Sequence, residues 1–289
     1  MVAAYIALTK PKIIVLLLIT AVGGLFLASN GFPDLTISLA VLVGGSLAAG
    51  GANSLNHFWD RDIDSKMKRT TNRPVASGSI EPVNALIFGT LLNLAAFGLL
   101  YFYANLISAI LTLSATLFYI FIYTMMLKRT TPQNIVIGGA AGSIPPAVGW
   151  AAVTGTIVDP APIFLFLIVF FWTPPHFWAL AIKYADDYEA ASVPMLPVVT
   201  SIRGTALRMV IYTVVVIGLS LWFHSVAGTS FLYLTVAVAG GLMFLWRTIE
   251  LLRRPSSVQA MKVFTYSIVY LGALFIAVAV DVLAYGPPT

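Results

Sequence analysis

Hydrophobic residues run through this chain in nine long stretches, near 13–29, 35–56, 83–103, 106–127, 135–153, 163–182, 206–224, 230–246 and 263–283. Each is about the length needed to cross the hydrocarbon core of a bilayer. The pattern predicts an all-α polytopic membrane protein, one domain over residues 1–289 with nine transmembrane helices. Polar positions between the stretches are unevenly shared. All 16 Lys and Arg residues fall on the side of the N-terminus, while the opposite loops hold only Asp34, Asp159 and Asp281 as charges. Under the positive-inside rule the N-terminus and loops 57–82, 128–134, 183–205 and 247–262 are cytoplasmic, with the C-terminus outside.

Composition agrees. The chain is 59% hydrophobic and 9% charged with a mean hydropathy of +0.93, whereas a water-soluble domain carries about 25% charge. The net charge of +5 then reads as a topological signal, and no nucleic-acid partner is expected. The first residues lack the layout of a cleaved leader, and no Arg-rich, Ser-rich presequence precedes the first stretch. The expected location is therefore the plasma (inner) membrane of a prokaryote. With no Cys in the chain, disulfides, thiolate ligands and thiol nucleophiles are all excluded.

The predicted helices differ in character. Stretches 35–56 and 135–153 carry runs of small residues, Gly50-Gly51-Ala52 and Gly138-Gly139-Ala140 among them, which let helices approach closely and mark both as interior. Stretches 206–224 and 263–283, rich in Leu, Val, Ile and Phe, read as lipid-facing walls. Pro145-Pro146 and Pro174-Pro175 are expected to interrupt two spans at membrane depth, where freed carbonyls are tolerated only against protein or a polar cavity.

The densest polar signal lies where the second stretch meets its basic loop. Asn56, Asp60 and Asp64 are spaced i, i+4 and i+8, which on a continuous helix stacks them along one face. Carboxylates on one stripe repel unless a cation lies between them, and oxygen-only donors suit Mg²⁺. The alternative is a solvated helix end paired with Arg61, Lys66, Lys68 and Arg69. If the stripe holds metal, Asp60→Ala and Asp64→Ala abolish turnover in a folded protein, and Asp62→Ala, off the stripe, is milder. A second charged cluster, Lys183, Asp186, Asp187 and Glu189, ends the sixth stretch on the same side, four helices later. That placement suggests two similar four-helix halves plus a ninth helix.

On a polytopic chain, Asn56-x-x-x-Asp60-x-x-x-Asp64 resembles the first aspartate-rich motif of the UbiA-type intramembrane prenyltransferases. Leu127 to Gly139 (LKRTTPQNIVIGG), Gly142 to Trp150 and Pro175-His176-Phe177-Trp178 resemble the haem-directed branch of that family. The resemblance runs from Lys10-Pro11-Lys12 to Pro197. Where other members have a second Asp-x-x-x-Asp, this chain has Lys183-x-x-x-Asp187, a basic residue common in that branch. The resemblance implies a UbiA-like bundle with a cytoplasm-facing active-site cavity, in which farnesyl diphosphate is ionised with Mg²⁺ and its prenyl group moves to a vinyl of haem B. Haem B is a substrate here, and a haem A synthase or terminal oxidase is an implied downstream partner.

Under that implication the catalytic candidates are Asn56, Asp60, Asp64, Lys183 and Asp187, with Asn56, Asp60 and Asp64 holding metal. Arg73, Lys128, Arg129 and Lys66 are candidate diphosphate donors, each also readable as a positive-inside anchor. Tyr123 and Trp178, with Phe118, Tyr119, Trp172 and Phe177, could shield an allylic cation from water. Of three histidines, His57 lies inside the aspartate motif, His224 at the outer end of the seventh stretch, and His176 at a depth a porphyrin could reach, as an axial ligand or a packing group. Two rival functions remain open: a prenyltransferase for an aromatic quinone precursor or chlorin, and a secondary transporter with broken helices. The clustering of acidic residues at one end favours an enzyme.

Overall fold

The computed structural model describes residues 1–286. Its nine long apolar helices are α1 (Pro11–Ser29), α2 (Leu35–Trp59), α3 (Pro82–Tyr103), α4 (Leu106–Thr130), α5 (Asn134–Thr154), α6 (Pro160–Lys183), α7 (Ile202–Ala227), α8 (Phe231–Arg253) and α9 (Ser257–Tyr285). A short helix, Val2–Thr9, precedes them. Each coincides with a predicted stretch. The largest discrepancies are the end of α8 and the start of α9, which run past the apolar zone because helical hydrogen bonding continues through polar turns that hydropathy does not register. The C-terminal residue Thr289, the end point of the predicted topology, lies outside the described residues.

Large apolar side chains such as Leu94, Phe102, Trp222 and Ile276 are exposed around the outside, as a bilayer-facing surface requires. Helix α2 packs along α3, α6 along α7, and α9 against α1, α6 and α8. The expectation that 263–283 is a lipid-facing wall is therefore corrected: α9 is the most buried of the nine. An all-apolar helix suits lipid and protein interior equally, so its composition could not decide.

Helix α5 breaks at Ser143-Ile144, ahead of Pro145, as predicted. Its second half meets α1 almost backbone to backbone. A Cβ on Gly149 would lie 2.1 Å from Ala21 O, and one on Gly24 2.1 Å from Pro146 O. Only glycine permits this approach. By contrast, α6 is not interrupted: the helix runs unbroken through Pro174 and Pro175. Thr173 Oγ1 donates to Val169 O at 2.8 Å within it, and neighbouring helices cover the turn, which is how a spanning helix accommodates proline. Helix α4 changes pitch midway, from an α-helix over Leu106–Leu117 to a π-helical segment over Phe118–Leu127.

Candidate active site

The polar stripe survives a break. Helix α2 ends at Trp59, Asp60 is its C-cap, and a short turn of helix, Arg61–Asp64, follows. The i to i+4 hydrogen bonds nevertheless continue, Asp60 N to Asn56 O at 2.9 Å and Asp64 N to Asp60 O at 2.7 Å. Asn56, Asp60 and Asp64 therefore keep one face, and all three are buried. Asp62 points elsewhere. It takes both arms of the Arg129 guanidinium, at 2.7 and 2.8 Å, and the hydrogen bond from Arg129 holds its carboxyl down at about 2.

Each polar group of the stripe faces a basic side chain. Asn56 Nδ2 donates to Asp60 Oδ2 at 2.7 Å and to Thr124 Oγ1 at 3.2 Å, which orients the amide so that its Oδ1 accepts from Lys10 Nζ at 2.9 Å. Lys128 pairs with Asp60 Oδ2. Arg73 Nη1 reaches both oxygens of Asp64 at 2.8 Å. Asp60 Oδ1 is left without a hydrogen-bond partner; Arg129 Nη2, at 3.9 Å, is too far for one.

Lys10 is the residue sequence reasoning missed. It sits between the N-terminal helix and α1 with φ 52 and ψ 58, a left-handed conformation uncommon outside glycine, and the resulting turn directs its side chain inward. Burial pushes its ammonium well below the usual lysine range, as does Arg73, with Asp64 and Asp60 partly offsetting them. The available signal was Lys10-Pro11 itself: proline starts the helix, so the lysine before it must be its cap.

A cavity of about 390 Å³ opens from this cluster into the bundle, within the usual range for small-molecule sites. Lys10, Asn56, Asp64, Arg69, Arg73 and Lys128 line its polar end. Tyr119, Tyr123, Trp172, His176 and Phe177 line the remainder with small residues of α2 and α5. Tyr119 and Tyr123 stack with centroids 5.5 Å apart, and Gly138 leaves room for Tyr123, whose Cδ2 would be 2.2 Å from a Cβ there.

Several predicted residues are not brought to the wall. Asp60 lies behind it, reached through Asn56 and Lys128. Lys66 is exposed and away from the cavity. Arg129 clamps Asp62 and Trp59 O on the outer side of the loop. Lys183 is exposed over the Tyr184 ring at 5.4 Å, and Asp187 accepts from Lys68 N at 3.3 Å and Arg69 N at 3.0 Å. This carboxylate ties the two acidic loops together and does not face the cavity. Trp178 is buried edge-on against Tyr212. His57 is buried off the wall with both ring nitrogens unpartnered, and His224 bonds Thr229 Oγ1 at 3.0 Å in the turn after α7.

A bundle of spanning helices around one cavity, cationic at one end and aromatic beyond it, is the architecture of an intramembrane group transferase. Residues 17–279 match the UbiA prenyltransferase family, and the chain belongs to it. Among solved structures, one described as digeranylgeranylglyceryl phosphate synthase superposes with a TM-score of 0.79 at 20% identity, covering 98% of each chain. A UbiA homologue from Archaeoglobus fulgidus, bound to DMAPP and Mg²⁺, superposes with a TM-score of 0.68 at 15% identity, covering 96% of this chain and 99% of that one. Sequence narrows the placement. The chain is 47% identical over 286 residues to protohaem IX farnesyltransferase of Streptomyces coelicolor, covering 97% of this chain and 90% of that relative. It is 48% identical over 288 residues to the protein of the same name from Cutibacterium acnes, covering 98% and 85%. This similarity sets it in the protohaem IX farnesyltransferase branch of the family.

Proposed function

We propose that the protein transfers a farnesyl group from farnesyl diphosphate to a vinyl group of haem B, giving haem O, in the plasma membrane of a prokaryote. The observation that carries this reading is the cavity joining a cationic end to an aromatic interior. Its basic end faces the cytoplasm, where the positive-inside rule places loops 57–82 and 128–134, so diphosphate enters from that side and the apolar chain extends inward.

The residues fit a divalent cation. Among the described residues no three His, Cys, Asp or Glu side chains converge, but Asn56, Asp60 and Asp64 share one buried face, and the orphaned Asp60 Oδ1 is a buried charge that a cation would satisfy. Mg²⁺ held by Asn56, Asp60 and Asp64 would act as a Lewis acid on the diphosphate oxygens. The protein's own share follows from its charges. Asp60 and Asp64 are each matched by one basic side chain, Lys128 and Arg73, while Lys10 donates to Asn56 and Arg69 stands beside them on the wall. These donors hold the diphosphate and stabilise the charge that grows on it as the C1–O bond breaks. Tyr119, Tyr123 and Trp172 exclude water and offer aromatic faces to the allylic cation. The vinyl group forms its bond to C1 as diphosphate departs, and water then adds to the resulting cation and gives up a proton to solvent, leaving a hydroxyl.

Pigments extracted from cells with and without the protein test the acceptor. A heavier, farnesylated haem appearing only with the protein is expected. Unchanged haem B together with a prenylated aromatic acid would transfer the assignment to quinone-precursor chemistry.

A further inference from the structure

Facing the interior of the cavity, His176 is held more tightly than packing alone requires. Its ring lies between Trp172, with centroids 4.3 Å apart at 17°, and Phe264, 4.6 Å apart at 23°. Its Nδ1 is 2.7 Å from Ser267 Oγ on α9, and the same Oγ is 2.7 Å from Phe264 O. A serine hydroxyl carries one proton, and a carbonyl has none to give. The Ser267 proton must therefore lie toward Phe264 O, leaving Ser267 Oγ to accept from His176. Nδ1 is consequently the protonated nitrogen, and Nε2 carries a lone pair. Trp172 Nε1 donates to Ser267 O at 2.8 Å, so one turn of α9 fixes both rings.

His176 is on the cavity wall, and among the described residues Nε2 has no hydrogen-bond partner. A neutral imidazole nitrogen with a free lone pair, open to the cavity, is available to a ligand. Proteins orient metal-binding histidines in the same way, by donating the other ring N–H to a fixed acceptor. We propose that Ser267 locks His176 in the Nδ1–H tautomer so that Nε2 ligates the iron of the porphyrin acceptor. This rests on the assignment of haem B as acceptor. Ser267 does not touch the substrate and is a positioning residue. Ligation from α6 places the macrocycle beside Trp172 and Phe177 while the prenyl diphosphate is held at the other end, and it accounts for a polar chain in the interior of the bundle.

The test is absorbance titration of the purified full chain with ferric haem B and, separately, with iron-free protoporphyrin IX. Wild type should shift the haem Soret band and bind haem more tightly than the iron-free ring. His176→Gly should lose the shift and regain it with added imidazole. Ser267→Ala should weaken haem binding about 10- to 100-fold with little change for iron-free protoporphyrin, and Ser267→Thr, which keeps the hydroxyl, should stay near wild type. Identical haem spectra for wild type and His176→Gly overturn the proposal, as does equal weakening of both porphyrins by Ser267→Ala, the signature of a purely structural contact. If wild type binds neither porphyrin, the assignment of haem B as acceptor fails and the ligand proposal fails with it.

Discussion

Replacing Asp60 by Asn removes one negative charge from a fully buried pair. The Asp60 side chain is 0% exposed and its partner Lys128 11%, so the substitution strands an ammonium where little water reaches it. Breaking one side of a buried pair costs about 3–5 kcal/mol. Lys128 borders the cavity, where water can take part of its charge, which lowers the expected loss to roughly 2–3 kcal/mol. At about 2–4 °C per kcal/mol for a chain of this size, Asp60→Asn should melt roughly 5–10 °C below wild type in detergent, besides losing turnover. Asp64→Asn should cost less, because Arg73 is 23% exposed and can turn to water. Lys128→Met in the Asp60→Asn background removes the stranded charge and should recover most of the melting loss without restoring activity, a non-additive pair. An Asp60→Asn protein melting within a degree of wild type, or a double variant melting lower than either single one, would refute the argument. A loss of this size still leaves a folded, membrane-inserted protein, as the sequence analysis expects, at a lower melting temperature.

Because basic side chains already face both carboxylates, Mg²⁺ alone should bind at least about tenfold more weakly than in the presence of farnesyl diphosphate; calorimetry showing equal affinities would contradict the charge balance. Gly149→Ala should destabilise by about 1–3 kcal/mol, since its Cβ meets backbone oxygen at 2.1 Å, whereas Gly98→Ala, with nothing within 4 Å, should stabilise slightly; equal melting shifts would rule out the close approach of α1 and α5. The carboxyl of Asp62, lowered to about 2, lends stability above its unfolded value near 4 that is lost as pH falls toward 2. Asp62→Asn should therefore melt slightly below wild type from pH 5 to 8, converge with it in acid, and retain turnover; a gap that widens in acid would reverse the sign.

The fold was legible because nine apolar stretches separated by one-sided charge leave few alternatives, and the aspartate stripe because its spacing matches a helical turn. What stayed hidden depended on three-dimensional pairing. Lys10-Pro11 marks a helix cap, but the letters do not say where that cap points; the left-handed turn at Lys10 directs its side chain to Asn56. Lys183 and Asp187 read as a second active-site motif, yet Asp187 is taken up by the backbone of Lys68 and Arg69. Helix α9 looked like a lipid wall because hydropathy does not distinguish lipid from protein. The double proline in α6 looked like a break, although surrounding helices let it continue. Ser267, one small residue in an apolar helix, becomes informative only once His176 is seen opposite it.

The widened pitch of α4 has a consequence for how that stretch can change. Tyr119 and Lys128 are nine residues apart, about two and a half turns of α-helix, which would put them on opposite sides. Both line the same cavity because the intervening Phe118–Leu127 is wound with π turns, whose hydrogen bonds skip one residue further than those of an α-helix. The alignment therefore depends on how many residues the segment contains more than on which they are. Conservative exchanges among its aliphatic positions leave Lys128 opposite Asp60, while deletion of a single residue would wind the segment back toward α-helix and swing the lysine away. Length, in this run of apolar letters, is itself what the site demands.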